Sequence, residues 1–216
     1  MVGLVEFIRN YWMPSMNDAI AVAITGASGA GYGLRLLECL LRADYRVYLM
    51  VSSPAHVVIK MEVGLSLPTR PEEMKVVLLE YLNLPANSPL QVFSKTQWMA
   101  PVASGSSVPN AMVVCPCTMG TLAAIAAGLS KTLMERAADV VLKEQKKLIL
   151  VPRETPFSAI HLENMLKLSR MGATILPANP GFYHQPTGLN DVIDFVVSRI
   201  LDQLVVPHQL VKPWAE

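Results

Sequence analysis

The chain has 216 residues, enough for one domain with a sizeable core, and a formal net charge of +1 with only 16% charged residues. That balance supplies no basic stripe for nucleic acid, so a small molecule is the expected partner. A hydrophobic content of 52% and a mean hydropathy of +0.37 leave two readings, a membrane span or surface buried against other copies of the chain.

Residues 1–18, MVGLVEFIRNYWMPSMND, carry Glu6 and Arg9 inside their apolar part and lack a small-residue cleavage site. They read as an N-terminal extension and not as a secretion signal, ahead of a single domain over 19–216. The first strand, Ile20 to Thr25, runs into the turn GASGAG and a helix whose leucines, in LRLLECLLRA, recur at helical spacing. A second apolar strand follows at Arg46 to Val51. The stretch from Thr96 to Ser130 is uncharged, but Pro101, Pro109, Pro116 and its glycines leave no unbroken apolar helix of the roughly 20 residues a span needs. No transmembrane segment is expected, and the apolar excess points to a homo-oligomer. The same stretch holds a third strand, Ala111 to Cys115, and the helical pattern MGTLAAIAAGL. Then come LMERAADVVLKEQ as a helix, Lys147 to Val151 as the fourth strand, FSAIHLENMLKLSRMG as a helix, Ala173 to Leu176 as the fifth strand, and LNDVIDFVVSRILDQL as the last helix. Short apolar strands between longer helices predict a parallel sheet covered on both faces, a Rossmann-like (flavodoxin-like) three-layer α/β fold.

In such sheets ligands sit beyond the C-terminal ends of the strands, which singles out GASGAG, SSPAH, PCTMGT, PRETPFS and PANPGFYHQP. The first of these is not a dinucleotide fingerprint. G-x-G-x-x-G would need glycine at Ser28, and YLMVSS closes the second strand without the acidic residue that grips a ribose. A short-chain dehydrogenase is excluded too, because none of the six tyrosines has a lysine four residues on. Backbone N–H groups and hydroxyls remain, and they suit a mononucleotide phosphate such as that of FMN. Gly26, Ser28 and Gly29, then Ser52, then Thr118 with Gly120 and Thr121, stand at equivalent strand ends and can clamp it between two turns. Taken alone, Ser28 could be no more than the N-cap of the following helix.

Cys39, Cys115 and Cys117 form no disulfide framework, which places the chain in the cytoplasm. The CPC pair has no further Cys or His at ligand spacing, so no metal is expected and the thiols read as small core residues. Arg136 and Lys143, seven apart in ERAADVVLK, share a helix face with Glu135, Asp139 and Glu144 nearby. Either a salt-bridged surface or an anion site fits them. Arg153 directly follows a buried strand, where a charge faces the cleft.

TGASGAGYGLRLL, SSVPNAMVVCPCTMGTLAAIA, ERAADVVLKE, LVPRETPFSAIHLENMLKLS and PANPGFYHQP with DVIDFVVSRIL resemble the UbiX/Pad-type flavin prenyltransferases, from about Ile20 to Trp214. The resemblance implies that a dimethylallyl group leaves its phosphate ester and joins reduced FMN at N5 and C6, making a fourth ring. The product would be the cofactor of a UbiD-type decarboxylase, in ubiquinone biosynthesis or aromatic acid decarboxylation. FMN is then a substrate, dimethylallyl phosphate the co-substrate, the enzyme a metal-independent transferase and the assembly a dodecamer. Whether the donor is the mono- or the diphosphate stays open.

The resemblance assigns Gly26, Ala27, Ser28, Ser52, Thr118, Met119, Gly120, Thr121 and Arg153 to FMN. It assigns Arg136, Lys143, Arg153, Tyr183 and Arg199 to the prenyl phosphate, with neighbouring subunits contributing; guanidinium, ammonium and phenol groups stabilise a departing phosphate. Trp98 would flank the prenyl group as it gains positive charge, the alternative being a core or interface ring. Glu154 is the expected base for the proton released at ring closure, with Ser28 and Glu62 near the same site. The alternatives are a charge at the start of a helix near Pro156 for Glu154, and a surface helix carboxylate for Glu62. Met119 stands where the family often has a small hydroxyl residue, which leaves only backbone donors there. His184 reads as loop surface, and His56, His161 and His208 as structural.

Two other readings compete. A flavin-dependent cysteine decarboxylase of related fold carries Pro-Ala-Ser-Ala-Asn-Thr where this chain has PCTMGT, so Gly120 replaces the substrate-gripping asparagine. A flavin carrier would leave Glu154, Tyr183 and the arginines without a task.

Overall fold

The computed structural model describes residues 19–212, so the extension 1–18 and Trp214 lie outside the described residues. Six strands, β1 (Ala19–Ile24), β2 (Arg46–Val51), β3 (Leu90–Phe93), β4 (Ala111–Cys117), β5 (Lys147–Pro152) and β6 (Thr174–Ile175), form one sheet in the order β3-β2-β1-β4-β5-β6. Every pairing is parallel. The helices are α1 (Ala30–Arg42), α2 (Ser53–Val63), α3 (Pro71–Tyr81), α4 (Met119–Ala126), α5 (Leu133–Lys143), α6 (Ala159–Arg170) and α7 (Leu189–Leu204).

All six residues of β1 and all seven of β4 are buried, as continuous apolar runs in a two-sided parallel sheet must be. Their side chains alternate between two cores. Ile20, Val22 and Ile24 pack with residues of α1, α2, α3 and α7, whereas Ala19, Ala21 and Ala23 pack with residues of α4, α5 and α6. The register of β4 on β5 shifts between Val114 and Cys117, so Cys115 belongs to the first core and Cys117 to the second. The two thiols therefore face opposite layers. Burial pushes both upward, Cys117 to about 12. They are core residues, and among the described residues no group of three or more His, Cys, Asp or Glu could hold a metal ion. No helix among them is long and apolar enough to cross a membrane.

The strand order reverses between β1 and β4, and the crevice beyond their C-terminal ends is where ligands of such sheets bind. Three elements were not expected from the sequence. β3 has four residues and an exposed Gln91, too short for a pattern. α2 buries only Ala55 and Ile59, and α3 only Met74, Leu78 and Leu79, so neither shows a full apolar stripe. The helix expected from near Pro156 starts at Ala159, where Ser158 and His161 close a capping box.

Candidate active site

The turn after β1 is built for close approach. A Cβ on Gly33 would stand 2.4 Å from the Cys115 carbonyl oxygen, so only glycine lets α1 lie this near β4. Gly29 caps α1 at φ 107°, a left-handed conformation suited to glycine. Thr25, buried, donates its hydroxyl to the Pro116 carbonyl at 2.6 Å and accepts the Thr118 N–H at 2.9 Å. That one side chain fastens the turn after β1 to the turn after β4.

The first amides of α1 are already occupied. The Glu62 carboxylate, reaching over from α2, accepts the N–H groups of Gly29 at 2.9 Å and Ala30 at 2.8 Å. The alternative reading of Ser28 as the cap of α1 does not hold, since Gly29 is the N-cap, and the Gly29 and Ala30 amides hold a protein carboxylate; those of Gly26, Ala27 and Ser28 take no part in this contact. Burial alone would raise the Glu62 pKa, but the Ser28 side chain, the Ala30 and Gly29 amides and the Arg153 charge together hold it below its ordinary 4.5. Arg153 is fixed beside it, its Nε donating to the Ser28 carbonyl at 3.1 Å. Ser28, Tyr32, Glu62, Arg153 and Ile193 line a cavity of about 440 Å³.

A second cavity, of about 300 Å³, opens on the other side of the turn and is lined by Thr25, Gly26, Ser52, Thr118, Thr121 and Thr132 among others. Three helices begin at its wall. Ser52 caps α2 by accepting the Ala55 N–H, Thr118 caps α4 by accepting that of Thr121, and Thr132 caps α5 by accepting that of Glu135. Each helix start carries partial positive charge. A Cβ on Gly26 would stand 2.4 Å from Cβ of Pro54, so the turn packs directly on α2. Met119 is buried in the core, and its backbone amide alone remains for a ligand, as does that of exposed Gly120. Ala27 is buried and lines neither cavity.

The remaining expected residues are not gathered here. Glu154 lies four residues before the Ser158 cap, so it is not a charge on the first turn of α6; its Oε1 accepts the N–H of Thr155 at 3.2 Å. Trp98 is 46% exposed on the loop after β3, and neither it nor Glu154 lines either cavity. Arg136 pairs with Asp139 at 2.7 Å and donates to the Ala103 carbonyl, while Lys143 pairs with Glu144 over Gly105. Arg199 pairs with Asp202 at 2.6 Å, and His208 holds the other oxygen of Asp202 at 2.9 Å. Tyr183 stands edge-on to Phe195 and shares a groove of about 910 Å³ with Arg199. The salt-bridged alternative thus describes Arg136 and Lys143 within one chain, and Arg199 is salt-bridged as well. α5 and α7 also lie on opposite faces of the sheet, so a single chain cannot bring the first two cations to the third.

Thr25 and Thr132 went unrecognised from sequence, and so did Lys95 and Glu135 as residues of the 300 Å³ cavity. Reading LQVF as a strand would have exposed Lys95, two residues beyond the C-terminal end of β3.

A profile of the Flavoprotein family matches residues 9–201. The flavin prenyltransferase UbiX of Pseudomonas aeruginosa is 54% identical over 199 residues, 92% of this chain and 95% of that protein. A UbiX solved in complex with FMN and dimethylallyl pyrophosphate matches with a TM-score of 0.80 at 38% identity, over 92% of this chain and 97% of that one. A dodecameric FMN-dependent UbiX-like decarboxylase from Escherichia coli O157:H7 matches with the same TM-score and identity, over 92% of this chain and 100% of that one.

Proposed function

The chain belongs to the UbiX flavin prenyltransferases, and from that premise we propose how its residues divide the reaction. It is an enzyme that joins a dimethylallyl group to FMN, which sets aside the carrier and cysteine decarboxylase readings. FMN lies across the Gly26–Gly29 turn, its phosphate in the 300 Å³ cavity and its reacting edge toward the 440 Å³ cavity. The observation that carries this orientation is Glu62: a dianionic phosphate is repelled where a carboxylate already fills the helix start, and is attracted where α2 and α4 open behind neutral hydroxyl caps.

At the reacting edge, Glu62 stays ionised and holds the Ser28 hydroxyl, while Arg153 balances its charge. Glu154 takes the proton released at ring closure, after its side chain leaves the Thr155 amide. Trp98 stabilises positive charge on the prenyl group through its ring face. Tyr183 and Arg199 of one chain, with Arg136 and Lys143 of a neighbour, receive the departing phosphate, which takes the place of their present carboxylate partners. These cations supply the charge that a metal ion supplies in other prenyl transfers.

Completing the site across chains fits an assembly like the dodecameric relative. It also fits the exposed side chains of Met61, Met99, Ile160, Phe182 and Leu189, which a lone chain would leave in water. We place the enzyme in the cytoplasm, feeding a UbiD-type decarboxylase. The test is anaerobic mixing of the assembled protein with reduced FMN and either dimethylallyl monophosphate or diphosphate, followed by mass spectrometry of the flavin. A gain of one prenyl unit is expected with at least one donor, and unchanged flavin with both would overturn the reading.

A further inference from the structure

We propose that Lys95 is the counter-cation of the flavin phosphate and the residue by which this enzyme selects FMN over riboflavin; the proposal rests on the flavin prenyltransferase reading above. Lys95 lies two residues beyond β3 and lines the 300 Å³ cavity with Ser52, Thr118, Thr121 and Thr132. Its backbone is pinned there, because its carbonyl accepts the N–H of Leu133, the first residue of α5, at 2.9 Å. Its ammonium has no ion pair or side-chain hydrogen bond among the described residues.

That contrasts with the other cations considered for the site. Arg136, Lys143 and Arg199 each hold a carboxylate, and Arg153 donates to the Ser28 carbonyl. An exposed lysine with no ion pair among the described residues, on the wall of a hydroxyl-lined cavity, is the arrangement a dianion would complete. The one acidic side chain on the same wall, Glu135, is committed: its Oε2 accepts the N–H groups of Lys131 at 2.6 Å and Thr132 at 3.1 Å, which closes the cap of α5. Glu135 still repels a phosphate through space, and Lys95 is the mobile charge able to offset it. The hydroxyls and helix starts can orient a phosphate, but they carry no full charge, so discrimination between a phosphorylated and an unphosphorylated flavin falls to the ammonium.

The experiment measures binding of oxidised FMN and of riboflavin to the assembled wild-type protein and to Lys95→Gln, Lys95→Arg and Lys95→Glu, at two salt concentrations, with light scattering to confirm assembly. Lys95→Gln should weaken FMN on the order of 10- to 100-fold and leave riboflavin unchanged. Lys95→Arg should restore most of the loss, Lys95→Glu should exceed it, and the salt dependence of FMN binding should flatten in Lys95→Gln. Equal weakening of both flavins, or unchanged FMN affinity, overturns the assignment of Lys95 while leaving the flavin site standing. A wild-type protein that binds neither flavin overturns the reading beneath it as well.

Discussion

The two cavities on either side of the glycine turn are built from the same physics and treat an anion in opposite ways. On the Ser28 side, the start of α1 is filled by the carboxylate of Glu62, two amides and a serine hydroxyl converging on it. On the Gly26 side, the starts of α2 and α4 are each closed by a neutral hydroxyl, that of α5 by Thr132 together with the Glu135 carboxylate, and Lys95, which has no ion pair among the described residues, stands at the wall. A helix start attracts negative charge whatever its source, so what the protein itself places there decides whether a substrate phosphate can follow. In the reading proposed above, the internal carboxylate gives the turn a direction, with chemistry on one side and phosphate on the other.

The sharpest break in this comparison would come from the two glutamates. Glu154→Gln keeps size and loses basicity, so it should bind FMN and the prenyl phosphate yet slow product formation on the order of 10²–10⁴-fold, and the flavin recovered after one turnover should carry the prenyl unit without the closed ring. Glu62→Gln, measured beside it, should cost less in rate if Glu62 only orients Ser28. A larger loss in Glu62→Gln would move the proton transfer into the 440 Å³ cavity itself.

Next in size is Arg199, which lies outside both cavities. Arg199→Ala should weaken prenyl phosphate binding by about 1.5–3 kcal/mol, the range of a hydrogen bond to a charged group, with FMN affinity nearly unchanged. Isothermal titration with each ligand distinguishes the two, and equal losses would mean that Arg199 supports the flavin cavities after all. A smaller effect is expected from the turn. Gly26→Ala places a methyl group 2.4 Å from Cβ of Pro54 and 3.1 Å from its carbonyl carbon, so α2 must give way at a cost of about 1–3 kcal/mol in folding stability. Gly120→Ala, with nothing within 4 Å of the added carbon, should leave the melting temperature almost unmoved. If Gly26→Ala were equally silent, the turn would not be packed on α2 as described.

The central strands and the helices with full apolar stripes were legible in the sequence, because burial on both faces or along one stripe leaves a pattern. β2 and α7 came out with the bounds expected, and β1, β4 and β5 within two residues. What escaped notice lies at the edge: β3 has too few residues to show a period, and α2 and α3 bury too little to show a stripe. The same omission hid half of the site. Glu62 could be named from the family resemblance, but its task at the start of α1 depends on where α2 packs, 33 residues away from Gly29 in sequence. Lys95 could not be placed at a strand end while its strand went unread. Ser52, Thr118 and Thr121, by contrast, follow strands that the sequence declares plainly, and they do share one cavity.

The smallest expected effect concerns acid, and it tests whether Glu62 is the anion that fills the α1 start. Its carboxyl is held below 4.5 in the folded chain, so the folded state favours the ionised form. The stability this contributes is complete above 4.5 and is lost as the pH falls through the lower, folded value. Glu62→Gln lacks the contribution at every pH. The melting temperature of the wild type should therefore exceed that of the variant by a small, constant margin from neutral pH down to about 4.5, and the margin should close in stronger acid. Glu38, which burial would raise but the Arg35 and Arg42 guanidinium groups hold low, destabilises both proteins in acid alike, so it cancels in the difference. A margin that widened on acidification would require a protonated Glu62 in the folded chain, and the α1 start would then be open to a phosphate as well.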